Sequence, residues 1–553
     1  MKKGEFKMNI HAIKLILLGF FLFTTGPPGQ AQQADAPLFD HLGDHYHPVT
    51  TDSDIAQQYF DQGLILAFGF NHAEAHRSFL QAATLDPDCA MAWWGAAWVL
   101  GPNINAAMDP AVAPKAWEYL QKAKSHASDL TEREQAYIRA LAKRYGPEAL
   151  DDRSKRDKAF AEAMHNVTKQ YPEDMDAQVI YAESLMDTMP WDYWLENGEP
   201  KPDTRTVLRT LQDVLRKAPD HPMANHLMIH AVEAEHPTLG LEEAARLETL
   251  VPGAAHLVHM PAHIYIRVGE YHKATRSNLK AIQADQRYLD QVDAQSVYRL
   301  AYIPHNYHFG WATATLEGNS ELAIDLAREM AETVDKESMR KRGLTTLQHY
   351  WITPLYAMVR FGRWQAILSW PEPEKDLIYP RAVWHYSRGM AFTRQENVAA
   401  ARKELDRLNR LRDDPALKWV TVWDINKSRH ILEIAFLALS GEIAAAERDF
   451  DSAIASLNQA VNREDALNYD EPPTWHYPTR QSLGAVLLQA GYAQKAETVY
   501  RQDLDKFPNN GWSLFGLLKA LRQQGKNQKA NEVERRFQKA WRHADVVLTS
   551  SRF

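Results

Sequence analysis

The sequence has almost no cysteine, and this excludes several ways of holding a protein together. Cys89 is the only cysteine among 553 residues. A single thiol can neither close an internal disulfide nor supply a CxxC pair for a zinc or redox motif. Because Cys89 lies inside an apolar helical pattern, we interpret it as a small buried core residue. The fold must therefore be held together by packing alone.

Concentrated positive charge is also missing. The formal net charge is −8 and the isoelectric point is near 6.3, and the Lys and Arg residues form no basic block or stripe. Nucleic acid is therefore not expected as a partner. Beyond the N-terminal region no apolar run approaches the length of a membrane helix, so we expect no membrane span in the mature chain.

Several catalytic motifs are absent as well. The chain has no Gly-rich phosphate loop and no Gly-x-Ser-x-Gly elbow. The spacing from His226 to His230 resembles half of a zincin helix, but no glutamate directly follows the first histidine as it does in HExxH. This argues against a metalloprotease of that class.

The N-terminus has the pattern of a secretory signal. Lys2, Lys3, Lys7 and Lys14 precede the apolar run from Leu15 to Phe23, and small residues then lead to Ala31. A charged region, an apolar region and a small-residue cleavage site in this order are typical of a signal peptide. We therefore expect residues 1–31 to be removed and the protein to be secreted across the inner membrane into the periplasm.

Length and composition predict an array of helices. A chain of 553 residues exceeds the roughly 250–300 residues at which one compact core stops growing. Ala, Leu, Glu, Gln, Arg and Lys dominate, and period-two alternation is scarce. We therefore predict an all-α fold.

Eight histidines and one glutamate recur at helical spacing between residues 226 and 349. They are His226, His230, Glu233, His256, His259, His263, His305, His308 and His349. At about 100° per residue, the first three fall within an arc of roughly 60°, and so do the next three. The spacing therefore predicts one stripe of imidazoles per helix.

The chain resembles the tetratricopeptide-repeat (TPR) superfamily. Gly491 and Gly525, in GYAQKAETVYRQDLDKFPNN and GKNQKANEVERRF, are 34 residues apart, and so are Ala496 and Ala530. This spacing is the period of the TPR unit. The segment GEYHKA at Gly269 has the same frame. HMPAHIYIRVGEY, PHNYHF and FNHAEAHRSFLQAATLDPDCAMAWWG also resemble segments of exported bacterial TPR proteins, a likeness that implies the fold and no particular reaction.

The resemblance implies a right-handed solenoid of stacked helical hairpins over residues 32–553, with a histidine-rich central part at 221–356. In that family the second, fifth and ninth residues of each unit face the concave groove. Counting back from Gly269 places His256, His259 and His263 at those positions. The same register puts His305, His308 and His349 on groove-facing positions of the next units.

A convergent set of imidazoles with a carboxylate suits a transition metal, of which zinc and copper are the first choices. We therefore predict that all nine residues lie at a metal-binding pocket, which could belong to a metal-dependent enzyme. The alternative is a periplasmic scaffold that binds a peptide or protein segment in its groove without metal or catalysis. The expected partners are a small molecule or a peptide in the concave groove, or a protein.

Overall fold

The computed structural model describes residues 36–292 and 298–553. The expected signal peptide, residues 1–31, lies outside the described residues. Two compact units are present, one formed by residues 36–264 with 280–303 and the other by residues 265–279 with 304–553. Among the described residues, no helix combines the length and the apolar character needed to cross a membrane.

The described chain is built almost entirely of helices, as predicted. Before residue 292 they are α1 (Asp54–Phe68), α2 (His72–Leu85), α3 (Ala90–Trp98), α4 (Ala113–Ser125), α5 (Glu132–Leu141), α6 (Ser154–Gln170), α7 (Met175–Asp187), α8 (Pro202–Lys217), α9 (Pro222–Val232), α10 (Leu241–Leu250), α11 (Ala255–His259), α12 (Pro261–Val268) and α13 (Tyr271–Leu289). Short 3₁₀ turns span Pro110–Val112 and Pro237–Gly240.

A π-helical turn spans Tyr298–Tyr302, and 3₁₀ turns span Ser338–Arg340 and Pro415–Trp419. The α-helices after the π-helical turn are α14 (Ile303–Glu317), α15 (Ser320–Thr333), α16 (Thr346–Arg360), α17 (Trp364–Ser369), α18 (Ile378–Arg394), α19 (Val398–Arg412), α20 (Ser428–Ala446), α21 (Phe450–Asp465), α22 (Thr479–Gln489), α23 (Ala493–Lys506), α24 (Gly511–Gln523) and α25 (Asn527–Ala540). Strands β1 (Thr421–Val422) and β2 (Asn426–Lys427) form one antiparallel ribbon, in which Thr421 pairs with Lys427.

Consecutive helices pack as hairpins, and alternate helices stack. In the unit that contains residues 304–553, α18 packs against α19, α20 against α21, and α24 against α25. Helices α16, α18, α20, α22 and α24 also contact one another in series. This nearest-neighbour stacking is the construction of a helical-repeat protein, and it confirms the all-α repeat prediction.

One turn geometry joins many of these hairpins. A residue in the left-handed region ends the first helix, and the next N–H donates to the carbonyl five residues back, for example from Tyr492 to Leu487 and from Lys526 to Leu521. This is the Schellman arrangement, which satisfies carbonyls at the helix end. The left-handed residues are Phe70, Gly269, Gly318, Gly362, Glu396, Arg448, Gly491 and Gly525. The predicted pair Gly491 and Gly525 thus occupies equivalent turns.

The predicted stripe of His256, His259 and His263 does not lie on one unbroken helix. The helix ends at His259, and a new one begins at Pro261. Proline has no N–H for the backbone ladder and its ring crowds the preceding turn, which accounts for the break. Cys89 is 1% exposed beside Ala56, Ala82 and Ala92, and burial raises the pKa of its thiol to about 11, as its interpretation as a core residue requires.

The core formed by α21–α25 depends on glycines that admit an aromatic ring. The fully buried ring of Tyr500 lies between Gly484 on α22 and Gly516 on α24. A Cβ atom at either glycine would overlap this ring. The Tyr500 hydroxyl is also held, because it is 2.8 Å from Ser551 Oγ. The ring therefore cannot move aside freely.

We expect Gly516→Ala to destabilise the protein by about 1–3 kcal/mol, because overpacking at Tyr500 outweighs the helix propensity gained with alanine. The measurement is the midpoint of urea unfolding followed by circular dichroism. Gln523→Ala, at an exposed position of the same helix, is the control and should shift the midpoint little. An unchanged midpoint for Gly516→Ala would contradict this packing account.

Candidate metal centre

Six of the nine predicted ligands lie in one unit and three in the other. His226, His230, Glu233, His256, His259 and His263 belong to the unit containing residues 36–264, whereas His305, His308 and His349 belong to the unit containing residues 304–553.

His226, His230 and His256 form a buried group that we call the trihistidine centre. His226 and His230 lie one turn apart on α9, and His256 lies on the short helix α11. Each offers a ring nitrogen, and these three atoms lie within 4.8 Å of one another. The three residues are 0%, 2% and 3% exposed. The separation is small enough for one metal ion to engage all three after small side-chain adjustments.

Two of these imidazoles are already oriented through their other nitrogen. The Nδ1–H of His226 donates to the carbonyl oxygen of Phe68 at 2.7 Å. His230 Nδ1 is 3.1 Å from Glu233 Oε1 and donates to this carboxylate. In each neutral ring the Nε2 atom therefore keeps its lone pair. Bonds of this kind, to a backbone carbonyl and to a carboxylate, are the ones that orient metal-ligating histidines in proteins.

The remaining nitrogens of the centre have no hydrogen-bond partner among the described residues. They are the Nε2 atoms of His226 and His230 and both nitrogens of His256. Burying a polar atom without a partner costs about 1–3 kcal/mol. Several such atoms are costly for a packed core, and a cation bound among the three that lie within 4.8 Å of one another would satisfy one nitrogen of each ring.

Electrostatics keep the centre in its ligating state. Burial, followed by the charge of neighbouring imidazoles, lowers the pKa of His226 and of His256 well below the usual range. Burial also lowers the pKa of His230. The imidazoles are therefore neutral at pH 7, as metal coordination requires.

Glu233 connects the centre to a second pair of histidines. Its Oε2 atom is 2.6 Å from His263 Nδ1, and His263 Nε2 is 2.9 Å from His259 Nε2. Burial would raise the pKa of Glu233, but its interactions with His263 and His230 outweigh burial and lower this pKa to about 2. The carboxylate is therefore ionised and lies between two imidazoles, with Oε1 bonded to His230 and Oε2 in contact with His263. It positions His230 and His263 together.

Aromatic rings cover the trihistidine centre. Phe70, the left-handed residue after α1, has its ring centroid 4.6 Å from that of His226 and 5.4 Å from that of His256. It also stacks on His230 at 6.0 Å. The Trp191 ring meets His230 edge-on at 5.2 Å. Positive φ angles of 57° and 60° at these two bulky residues are uncommon and cost of order 1–3 kcal/mol each.

In the other unit, His308 and His349 form a buried pair with ring centroids 5.3 Å apart. His349 Nδ1 lies 2.7 Å from the Tyr379 hydroxyl, and burial lowers the pKa of His349 to about 3. Within the described residues of this unit alone, no group of three His, Cys, Asp or Glu side chains has ligand spacing. His305 packs its ring against Phe309 and Trp423, at 5.7 and 6.1 Å.

Sequence reasoning missed a second histidine cluster, centred on Asp176 near the start of α7. His45 Nε2 and His221 Nε2 are 3.0 and 3.1 Å from Asp176 Oδ1, and His47 Nδ1 is 2.7 Å from Oδ2. His45 and His47 lie on an extended segment, residues 36–53, which we call the strap. The sequence DHYHP could have indicated that His45 and His47 lie on one side of the strap, because alternate residues of an extended chain point the same way.

The Asp176 cluster differs chemically from the trihistidine centre. Each of its three imidazoles donates an N–H to the carboxylate, and His221 Nδ1 accepts a further bond from the backbone N–H of Ala224. The groups satisfy one another, whereas the nitrogens of the trihistidine centre do not. We therefore interpret the cluster as a latch that holds the strap to α7 and α9.

No family model and no curated protein matches this chain. Solved structures that align with this chain include the human IFIT1 dimer with m7Gppp-AAAA, at 14% identity over 90% of this chain and 92% of that chain, with a TM-score of 0.29. Yeast Tom70 aligns at 14% identity over 86% of this chain and 90% of that chain, with a TM-score of 0.25.

The APC/C hetero-tetramer Cut9–Hcn1 is a further match, at 12% identity over 89% of this chain and 88% of that chain, with a TM-score of 0.30. Similarities of this size carry no argument about function. The assignment of a helical-repeat fold therefore rests on the hairpins and turns of the chain itself.

The latch should depend on pH. Burial alone would lower the pKa of His47, but its hydrogen bond to Asp176 and the charge of that carboxylate raise it above the usual value. A histidine pKa that is higher in the folded state stabilises the fold at pH values below the unfolded-state pKa of about 6.5. This stabilisation is lost as the pH rises through the folded-state pKa. Burial would raise the pKa of Asp176, but hydrogen bonds from His221, His45 and His47 hold it well below the usual range. The stability that the ionised Asp176 carboxylate contributes is therefore lost only in strong acid.

We therefore expect the strap to loosen as the pH rises from 6 to 8.5. Hydrogen exchange, corrected for the intrinsic rate, should show falling protection for the amides of His47 and Val49, which donate to Asp61 and Gln57. The amide of Leu64 in α1 is the internal control. Asp176→Asn should lower protection at pH 6 and flatten the pH dependence, and unchanged protection in that variant would refute the latch.

Proposed function

We propose that this chain is an exported repeat protein of the TPR type that binds a transition-metal ion, zinc or copper, at the trihistidine centre. One observation carries the proposal. Three buried, neutral imidazoles converge with nitrogens that have no partner in residues 36–292 and 298–553, and two of the rings are oriented by N–H bonds to Phe68 and Glu233. Imidazole nitrogen is a preferred donor for both metals.

The donor set favours a reactive site over a closed structural one. Three protein ligands leave at least one coordination position for water or substrate, whereas structural zinc sites use four. Metal in such a site supplies a Lewis acid or, for copper, a redox centre. His226, His230 and His256 would hold the ion, Glu233 would orient His230 and His263, and Phe70 and Trp191 would limit access of bulk water. We extend the proposal on this ground to a metal-dependent enzyme.

Export is the second part of the proposal, and it rests on the N-terminal sequence. The lysines before residue 15, the apolar run to Phe23 and the small residues up to Ala31 support secretion into the periplasm. The single cysteine is compatible with any redox compartment. The resemblance to exported bacterial TPR proteins, carried by segments such as HMPAHIYIRVGEY, supports the same location.

The competing function is a peptide- or protein-binding scaffold without metal. The helical-repeat construction supports it, because stacked hairpins offer extended surfaces for a partner. A scaffold does not account for buried ring nitrogens without partners, which is why we favour the metal. Metal content separates the two functions.

The first experiment measures metals by elemental mass spectrometry on protein exported to the periplasm and purified without a histidine tag or chelator. We expect near-stoichiometric zinc or copper in the wild type and strong loss in His230→Ala and His256→Ala, because each variant removes a ligand. His165→Ala is the matched control, since His165 is exposed on α6 of the same unit. Circular dichroism verifies that each variant folds. A metal-free wild type, or unchanged metal in both ligand variants, would refute the proposal.

A second measurement tests the role of Glu233. Glu233→Gln should weaken metal affinity by about 10–100-fold, the usual cost of losing a carboxylate that orients a ligating histidine. The neutral amide cannot accept N–H groups from His230 and His263 through both of its ends, because its NH₂ group only donates. Affinity is measured by competition with a chromophoric chelator at pH 7.

The control for this measurement is Glu242→Gln, which removes an exposed carboxylate on α10. Its affinity should equal that of the wild type. Equal affinity in Glu233→Gln would remove Glu233 from the metal centre.

A further inference from the structure

The trihistidine centre is closed to bulk solvent, so a metal ion can reach it only after part of the protein moves. His226, His230 and His256 are 0%, 2% and 3% exposed. The rings of Phe70 and Trp191 pack against these imidazoles. Buried groups meet solvent through local opening of a weakly held segment. The segment that opens here should contact the elements that carry the centre and should itself be held by few contacts.

The strap contacts the two helices that position the first of these imidazoles. His45 packs its ring against that of Phe68 at 5.5 Å, and the carbonyl of Phe68 accepts the Nδ1–H of His226. His45 is also hydrogen-bonded to Asp176, which is hydrogen-bonded in turn to His221. His221 is the N-cap of α9, the helix that carries His226. The latch therefore joins the strap to the end of α1 and to the start of α9.

The strap also contacts the segment that leads into α11. The carbonyl of His41 accepts the N–H of Gly253 at 2.7 Å, three residues before His256. Gly43 has a φ of 78°, and a Cβ atom at this position would lie 2.6 Å from the carbonyl oxygen of Leu250. Glycine permits both the left-handed conformation and the close approach. The strap is therefore tied to α9 through the latch and directly to the chain that enters α11.

The middle of the strap, residues 40–46, is its least protected part, and we call it the flap. Its exposed residues are Asp40, His41, Gly43, Asp44 and Tyr46. The chain on either side is anchored to α1, because the N–H of Phe39 donates to Gln62 at 2.7 Å and that of His47 donates to Asp61 at 3.0 Å. An exposed segment between two fixed ends can lift without unfolding the helices beneath it.

We propose that the flap controls metal exchange at the trihistidine centre, and that the ion enters and leaves when the latch opens and the flap lifts from Phe68 and Gly253. This proposal rests on the proposed function, since it concerns an ion held by His226, His230 and His256. An ion that passes only through the open form exchanges at a rate proportional to the fraction of open molecules. A looser flap therefore speeds entry and exit equally and leaves the equilibrium affinity unchanged.

The test measures zinc exchange in the full mature chain at pH 7. Release is followed as transfer of zinc to an excess of a chromophoric chelator, and uptake is followed after zinc is mixed with chelator-treated protein. Asp176→Asn should raise both rates by about tenfold or more, because the latch loses hydrogen bonds to a charged group, and should leave the dissociation constant unchanged. Faster release with unchanged uptake would show damage to the site itself and would overturn the proposal.

A second variant loosens the flap without altering the latch or α9. In Gly43→Ala the added methyl group meets the carbonyl oxygen of Leu250, so the flap should lift and both rates should rise. Asp44→Asn, at an exposed position of the same flap, is the matched control and should exchange zinc at the wild-type rates. Circular dichroism verifies the fold of every variant. The proposal requires faster exchange in Asp176→Asn and in Gly43→Ala, and wild-type rates in either one would overturn it.

A further readout needs no metal. Diethylpyrocarbonate modifies neutral imidazoles, and peptide mass spectrometry measures its rate of reaction with the three histidines of the centre in chelator-treated protein. Both flap variants should raise this rate, whereas the rate at His165, which is exposed on α6, should stay the same. Unchanged labelling of the centre would overturn the proposal. A wild type that cannot be loaded with zinc or copper would refute the proposed function, and the labelling would still decide whether the flap controls access to the centre.

Discussion

The Schellman turn after α1 is the constraint on which the trihistidine centre depends. A helix leaves its last carbonyls without intrahelical partners, and at this helix end the carbonyl of Phe68 accepts the N–H of His226. The left-handed residue of the same turn is Phe70, whose ring covers all three imidazoles. The turn that closes a repeat hairpin therefore also orients one ligand and shields the centre from water.

The protein contains two histidine clusters that differ in how their polar atoms are satisfied. At Asp176 the imidazoles and the carboxylate satisfy one another, and the result is a latch for the strap. At the trihistidine centre the Nδ1 atoms of His226 and His230 are satisfied by Phe68 and Glu233, while their Nε2 atoms and both nitrogens of His256 have no hydrogen-bond partner in the part of the chain that the structure describes. Composition alone cannot separate these cases, because both consist of histidines and one acidic residue. The hydrogen bonds of each imidazole distinguish the latch from the candidate metal centre.

Helical periodicity predicted part of the candidate centre well. His226 and His230 share a face of α9 because they are one turn apart, and this follows from 3.6 residues per turn. The spacing could not show that Pro261 would break the next helix, nor that Phe68 and Phe70 would come from a turn more than 150 positions away. The sequence indicated the turns at Gly491 and Gly525. It could not indicate the same turn at Phe70, Glu396 and Arg448, because those residue types seldom adopt positive φ.

The amino-acid sequence by itself determined the all-α fold, the 34-residue spacing of its last repeats and the shared helix face of His226 and His230. These properties are local, since they depend on propensity, period and turn chemistry over a few residues. Only the tertiary structure decided which imidazoles meet, which nitrogens find partners and which segments the strap joins. Those outcomes depend on contacts between segments far apart in the chain, where no local period carries information and packing alone sets the distances.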